Sequence, residues 1–213
     1  EEGNAEAQHV LGILYSSGRI VARDGVAAVE WYHHAAEQGH VVAQFTLGLR
    51  YDAGEGVIRD EAESVRWYRM AADQGHAAAQ FALGFRYDAG EGVVRDEAEA
   101  VRWYRLAAKQ GYAVAQLALG VMYSDGRGVT ADTTEAARRF HRAAVQDVAR
   151  TQYDSRVVYA NSREVAQDDV TIHLWFDLAV ARSTGDIRDS VVQSRETVAQ
   201  RMTRNQITEA RRR

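Results

Sequence analysis

The chain has 213 residues, no cysteine, no proline and a formal net charge of −4. The lack of cysteine excludes disulfide scaffolds, thiolate zinc sites and cysteine nucleophiles. The charge balance gives no general basic field for nucleic acid, and no apolar run approaches the roughly 20 residues of a membrane-spanning helix. The composition therefore predicts a packed globular protein that neither binds nucleic acid nor inserts into a membrane.

A repeat of 36 residues organises the chain. Residues 41–76 and 77–112 align without a gap and agree at 27 of 36 positions. Gly12, Gly48 and Gly84 are spaced at this interval, and Gly120 continues the series. The same interval separates a series of tyrosines: Tyr15, Tyr51, Tyr87, Tyr123 and Tyr159. Self-similarity at this period indicates a stack of similar small units without a separate catalytic domain.

Each repeat predicts two helices, here called helix A and helix B. Helix A spans about 41–53, and the glycine at its middle, Gly48, favours a close crossing of the partner helix because glycine is otherwise costly there. Gly54 and Gly56 are predicted to end helix A.

Helix B spans about 61–74. Asp60 and Glu63 resemble a capping box at its start, and Gly75 is placed as a left-handed cap at its end. Its buried face is predicted to carry Trp67 and Tyr68, with arginines on the opposite face.

The residues Ala43-Gln44, Leu47-Gly48, Tyr51 and Trp67-Tyr68, with the loop glycines and Gln74-Gly75, resemble the Sel1-like repeat, a relative of the tetratricopeptide repeat. The resemblance implies an all-α fold, a right-handed α/α superhelical solenoid of helix-turn-helix repeats. We divide the chain into five repeats, the last two degenerate, and a C-terminal helical cap: about 4–40, 41–76, 77–112, 113–148, 149–185 and 186–213.

Catalytic signatures are missing. The serine acyl-enzyme pattern S-x-x-K needs a lysine, but the one lysine, Lys109, has Leu106 three residues before it. Among the histidines, His40 and His76 occupy equivalent positions in adjacent repeats, too far apart to share a metal ion. His33 is predicted to be solvated and His9 to be single. We therefore predict no enzyme activity, no metal and no cofactor.

The remaining signal is a second stripe on helix A, opposite its core face. By resemblance to tetratricopeptide solenoids, this stripe lines a concave groove for an extended peptide or a partner helix, although packing between repeats explains it equally well. The candidate groove residues are Val42, Phe45, Leu49, Arg50, Asp52, Phe81, Phe85, Arg86, Asp88, Leu117, Val121 and Asp125. The acidic members favour a basic or mixed-charge ligand.

The leading hypothesis is a non-enzymatic protein-interaction scaffold, a monomer or a weakly self-associating protein. One alternative is a binder or hydrolase of cell-envelope ligands such as peptidoglycan or β-lactams. Another is an assembly element that stacks on other chains through its uncapped first repeat. The resemblance favours a bacterial, exported protein; the sequence does not identify the partner.

Overall fold

The structure, a computed structural model, describes residues 3–132 and a few single residues beyond them: 135, 136, 138, 139, 142, 143, 192, 196, 203, 207 and 208. Seven helices of 13 residues follow one another in the described part: α1 (Ala5–Ser17), α2 (Gly25–Glu37), α3 (Val41–Ala53), α4 (Glu61–Asp73), α5 (Ala77–Ala89), α6 (Glu97–Lys109) and α7 (Ala113–Asp125). None of them has the length or apolarity needed to cross a bilayer.

The all-α solenoid prediction is confirmed in these helices. The chain forms two compact units, Glu1–Ala107 and Ala108–Arg213. In the first unit α1 packs on α2, α2 on α3, α3 on α4 and α4 on α5, so that each helix contacts its neighbours in sequence. The predicted fifth repeat and the C-terminal cap lie almost entirely outside the described residues and stay predictions.

The predicted helix bounds are confirmed to within one residue. Helix A of the second repeat ends at Gly54, whose φ of 69° is left-handed and therefore suits glycine. Helix B ends one residue earlier than predicted, at Asp73, and the left-handed Gly75 with φ of 90° follows.

The capping box at helix B is only half formed, which corrects the prediction. The Asp60 carboxylate accepts hydrogen bonds from the backbone N–H groups of Ala62 and Glu63, as an N-cap does. The Asp60 N–H donates instead to the Tyr51 carbonyl, 3.0 Å away. Glu63 consequently does not return to the cap and pairs with Arg66 at 3.0 Å.

Helices A and B cross closely at the mid-helix glycine, as predicted. A methyl group at Gly48 would lie 2.4 Å from the Tyr68 ring, and Gly12 faces Tyr32 in the same way. The Ser64 hydroxyl donates to the Gly48 carbonyl at 2.9 Å, directly across this contact. Glycine is therefore needed at these positions because a tyrosine ring of the partner helix occupies the space of a side chain, and not because of the backbone conformation.

A buried amide joins each repeat to the one before it. The Gln44 side chain donates to the Ala36 carbonyl at 3.0 Å, and Gln80 donates to the Ala72 carbonyl at 3.1 Å. Gln116 repeats this bond within the second unit. Gln44 and Gln80 are buried, and each amide adds a second hydrogen bond to a helix-end carbonyl that also accepts a backbone N–H, that of Gly39 or Gly75.

The close crossing yields a stability prediction. Gly48→Ala should lower the free energy of unfolding by about 1–3 kcal/mol, because the added methyl overpacks the Tyr68 contact by more than helix propensity returns. Urea unfolding measures the change. In a Tyr68→Leu background the same substitution should cost clearly less, since the ring is gone; an equal cost in both backgrounds would contradict the proposed clash.

Candidate functional site

The structure places the twelve predicted groove residues in three environments. Two are exposed: Val42 and Asp125. Six are half-buried: Phe45, Leu49, Arg50, Asp88, Leu117 and Val121. Four are buried: Asp52, Phe81, Phe85 and Arg86. Buried side chains present no surface to a partner in this state, so the accessible part of the stripe lies chiefly in the second repeat and in the fourth.

Aromatic packing fixes the half-buried phenylalanine. The Phe45 ring lies 4.7 Å from the His76 ring and 5.8 Å from the Tyr68 ring, measured between centroids. Phe81, at the equivalent position of the third repeat, packs 5.5 Å from Tyr104 and is fully buried. The same position thus serves as core in one repeat and as partly open surface in another.

The first repeat extends the accessible apolar surface. Ile13 occupies the repeat position of Leu49 and is 45% exposed, while Val10 is 43% exposed. Neither residue is among the predicted groove residues, which begin in the second repeat. We call the set Val10, Ile13, Val42, Phe45 and Leu49 the apolar stripe of α1 and α3.

The two arginines predicted beside the groove join consecutive repeats. Arg86 pairs with Asp52, which is 34 residues earlier on the preceding helix A, and also with Glu91 in its own loop. The side chains of Arg86 and Asp52 are only 2% and 1% exposed. Such a pair is desolvated and depends on both partners being present.

Arg50 makes the corresponding contacts one repeat earlier. Its guanidinium donates to the Ser16 hydroxyl at 2.6 Å and to the Glu55 carboxylate at 2.5 Å. It also lies 5.8 Å from the centroid of the Tyr32 ring. Ser16 therefore stands where the next repeat has Asp52, and a hydroxyl replaces a carboxylate.

The first repeat also brings together Glu6, His9 and His40, which corrects the expectation that His9 is single. The His9 ring stacks on the His40 ring with centroids 4.6 Å apart. The His40 Nε2 atom lies 2.9 Å from a Glu6 carboxylate oxygen. Among the described residues this trio has donor atoms close enough together, within 4.8 Å, to hold a metal ion.

The hydrogen bonds of His40 argue against that use. Its Nδ1 accepts the backbone N–H of Ala43 at 3.1 Å and so caps α3. This bond assigns the proton of the neutral ring to Nε2, which donates it to Glu6. A metal at Nε2 would need that proton on Nδ1 and would break the cap. His76 caps α5 through the same bond, 3.2 Å from the Ala79 N–H. Neither cap is among those predicted from the sequence.

His33 is not the solvated residue that was predicted. Its Nε2 lies 3.0 Å from the Tyr51 hydroxyl, and its ring meets the edge of Trp67 at 5.2 Å. Burial lowers the pKa of His33. Arg69, at the same position of the next repeat, donates to the Tyr87 hydroxyl at 2.5 Å. A polar link to the tyrosine of the following repeat is thus the common role of this position.

The buried ion pair predicts a difference between two equivalent positions. Asp52→Ala should lower the free energy of unfolding by about 3 kcal/mol, because it leaves the Arg86 charge buried with less compensation. Ser16→Ala is the matched control and should cost no more than about 1 kcal/mol, the value of one ordinary hydrogen bond. Urea unfolding of both variants checks this; equal losses would contradict the assigned role of Asp52.

The half-buried His9 predicts a pH effect. Burial, followed by the neighbouring His40, lowers the pKa of His9. The unfolded chain therefore binds a proton at this residue more readily than the folded protein does. Stability from this source is full above the unfolded histidine pKa of about 6.5 and is lost as pH falls from there toward the folded pKa.

His9→Phe should therefore reduce the loss of stability on acidification. Phenylalanine is the residue of the equivalent position Phe45, so it fits the repeat. The free energy of unfolding, measured in urea at about pH 7.5 and about pH 5.5, should change less in the variant than in the original protein. An unchanged difference between the two pH values would contradict the argument.

Comparison with known proteins places these features in a family. The Sel1 repeat model matches residues 5–40, 41–76, 77–112 and 113–147. A protective antigen of uropathogenic Escherichia coli with an SLR fold is 38% identical and superposes with a TM-score of 0.68 over 84% of this chain. The chain spans only 38% of the length of that antigen.

A Sel1 repeat protein from Oxalobacter formigenes is 29% identical, with a TM-score of 0.64 over 91% of this chain and 88% of its own. The chain matches none of the curated proteins with which it was compared. Proteins built from Sel1 repeats are generally non-catalytic scaffolds for protein interactions. With four consecutive repeats matched over most of its length, this chain belongs to the Sel1 repeat family.

Proposed function

We propose that this protein is a non-enzymatic scaffold that binds a partner peptide or helix along the apolar stripe of α1 and α3. One observation carries the proposal: Ile13, Val10 and Val42 are 43–45% exposed although they project from well-packed helices. Large apolar side chains that recur on one face of successive helices mark a surface for a partner. Phe81 and Phe85 in the third repeat are buried, so the proposed site is centred on the first two repeats.

The stripe offers an anchor as well as apolar area. Phe45 is half-buried and held by the rings of His76 and Tyr68, so its position is fixed before any ligand binds. Leu49 and Ile13 are at equivalent positions one repeat apart, which suits the regular spacing of apolar residues on an amphipathic helix. A rigid surface of this kind binds without the entropic cost of ordering its own side chains.

The partner is best described by its chemistry. The side chains of the stripe are uncharged, and the one carboxylate predicted to lie beside it in these repeats, Asp52, is paired with Arg86 inside the protein. The binding energy would therefore come from apolar side chains of the partner, at about 25 cal/mol for each Å² of apolar surface removed from water.

A peptide-display selection against the purified protein tests this proposal. Peptides selected by the original protein should bind Val42→Glu and Ile13→Glu at least about tenfold more weakly, because each variant puts a charge in the apolar contact. Ile58→Glu is the matched control: Ile58 is 88% exposed but lies in the loop between α3 and α4, outside the stripe.

Circular dichroism of each variant confirms that the helices are retained. Peptides that bind both stripe variants as tightly as the original protein would overturn the proposed site, as would a loss of binding confined to Ile58→Glu.

A further inference from the structure

An open pocket lies where the loops of the first two repeats meet. Its volume is about 410 Å³, and it is lined by Ser16, Arg23, Gly25, Val26, Arg50, Glu55 and Gly56. Two of the lining residues, Gly25 and Gly56, lie in close backbone contact: a methyl group at Gly25 would lie 3.2 Å from the Gly56 Cα atom. The pocket shares no residue with the apolar stripe and is independent of the proposed function.

The first arginine of the pocket, Arg50, has fewer carboxylate partners than its equivalent in the following repeat. Arg86, the equivalent of Arg50, pairs with the carboxylates of Asp52 and Glu91. Arg50 has only one of the two carboxylates, that of Glu55, and Ser16 takes the place of Asp52. The Arg50 side chain is also more accessible, at 17% exposure against 2% for Arg86.

The second arginine of the pocket has lost its carboxylate as well. Arg59 and Arg95, the equivalents of Arg23, each pair with the glutamate two residues later at 2.7 Å. The corresponding residue after Arg23 is Gly25. Arg23 is exposed and has no ion pair with any residue that the structure describes.

Both missing carboxylates belong to the same pocket. The pocket is lined by two guanidinium groups and one carboxylate, that of Glu55. The equivalent residues of the next two repeats combine two guanidinium groups with three carboxylates. The pocket therefore carries more positive than negative charge, and Ser16 and Gly25 stand at the positions where the next repeat has acidic side chains. Guanidinium groups bind carboxylates through paired charge-assisted hydrogen bonds.

We propose that this pocket binds a ligand with two carboxylate groups, one beside Arg50 and Ser16 and the other beside Arg23. The two groups would stand in for Asp52 and Glu61 of the next repeat, which is why carboxylates fit better than a larger phosphate. Val26, which is 60% exposed, lines the same pocket and offers an apolar contact to a short aliphatic spacer. The ligand class is a small dicarboxylic acid or a pair of acidic side chains on a protein segment.

Side-chain NMR tests the proposal directly. In the 15N-labelled protein, glutarate should shift the Nε–Hε signals of Arg50 and Arg23 in a saturable way, whereas neutral glutaramide should not. A blocked Glu-Glu dipeptide, compared with Gln-Gln, forms the second arm. Binding of glutarate supports a free acid as ligand, and binding of the dipeptide alone assigns the site to an acidic protein segment. The proposal is overturned if neither glutarate nor the Glu-Glu dipeptide shifts these signals, or if inorganic phosphate is the only probe that shifts them in a saturable way.

Two variants show whether the missing carboxylates define the site. Ser16→Asp with Gly25→Glu restores the side chains of the second repeat, so it should weaken binding of the acidic probe at least about tenfold while the melting temperature is kept or raised. Arg23→Gln removes one exposed cation without a buried contact and should also weaken binding. Unchanged affinity in the folded double variant would overturn the proposal. Selection of peptides by the apolar stripe should be the same in both variants, which separates the two sites.

Discussion

The fold depends on burying helix ends between repeats. A single helix pair cannot cover its own apolar face, so α3 must pack on α2, and this packing removes the last carbonyls of α2 from water. The Ala36 carbonyl accepts the Gly39 N–H within the turn and the Gln44 amide across the repeat boundary, each at 3.0 Å, so it is fully hydrogen-bonded without water. Because the donor lies eight residues after the acceptor, the bond fixes the short turn between repeats as well as their separation. The same bond recurs once in each of the next two repeats, at Gln80 and Gln116.

Local rules were sufficient to predict the helices. Asp60 caps α4 and Gly54 ends α3 because both roles depend on the backbone of neighbouring residues, which sequence spacing determines directly. The crossing at Gly48 was predictable for another reason: a mid-helix glycine is costly unless something occupies the space of its missing side chain, and the Tyr68 ring does so. The return bond from Glu63 was mispredicted because the Asp60 N–H reaches the Tyr51 carbonyl instead.

The contacts of long polar side chains could not be predicted from one repeat. A helical wheel places the Cα of Arg86 beside the stripe, but its guanidinium extends back to Asp52, 34 residues earlier. His40 and Glu6 are separated by the same number of residues. A search for charged or polar partners at this offset, two residues short of the period, would have found both pairs. The same search would have shown that the residue 34 positions before Arg50 is Ser16, whereas the residue 34 positions before Arg86 is the acidic Asp52.

Repetition lets one repeat serve as the reference for another. The buried pair of Arg86 and Asp52 gives up hydration of both charges and is favourable only while both are present. Arg50 keeps more of its contact with water, so a hydroxyl can replace the carboxylate there at a smaller cost in stability. The loss of the glutamate after Arg23 costs little for the same reason, since exposed pairs contribute less than about 1 kcal/mol. The scaffold can therefore leave Arg23 without an ion pair, and Arg50 with one carboxylate instead of two, and still fold; a site for acidic ligands requires no more than this.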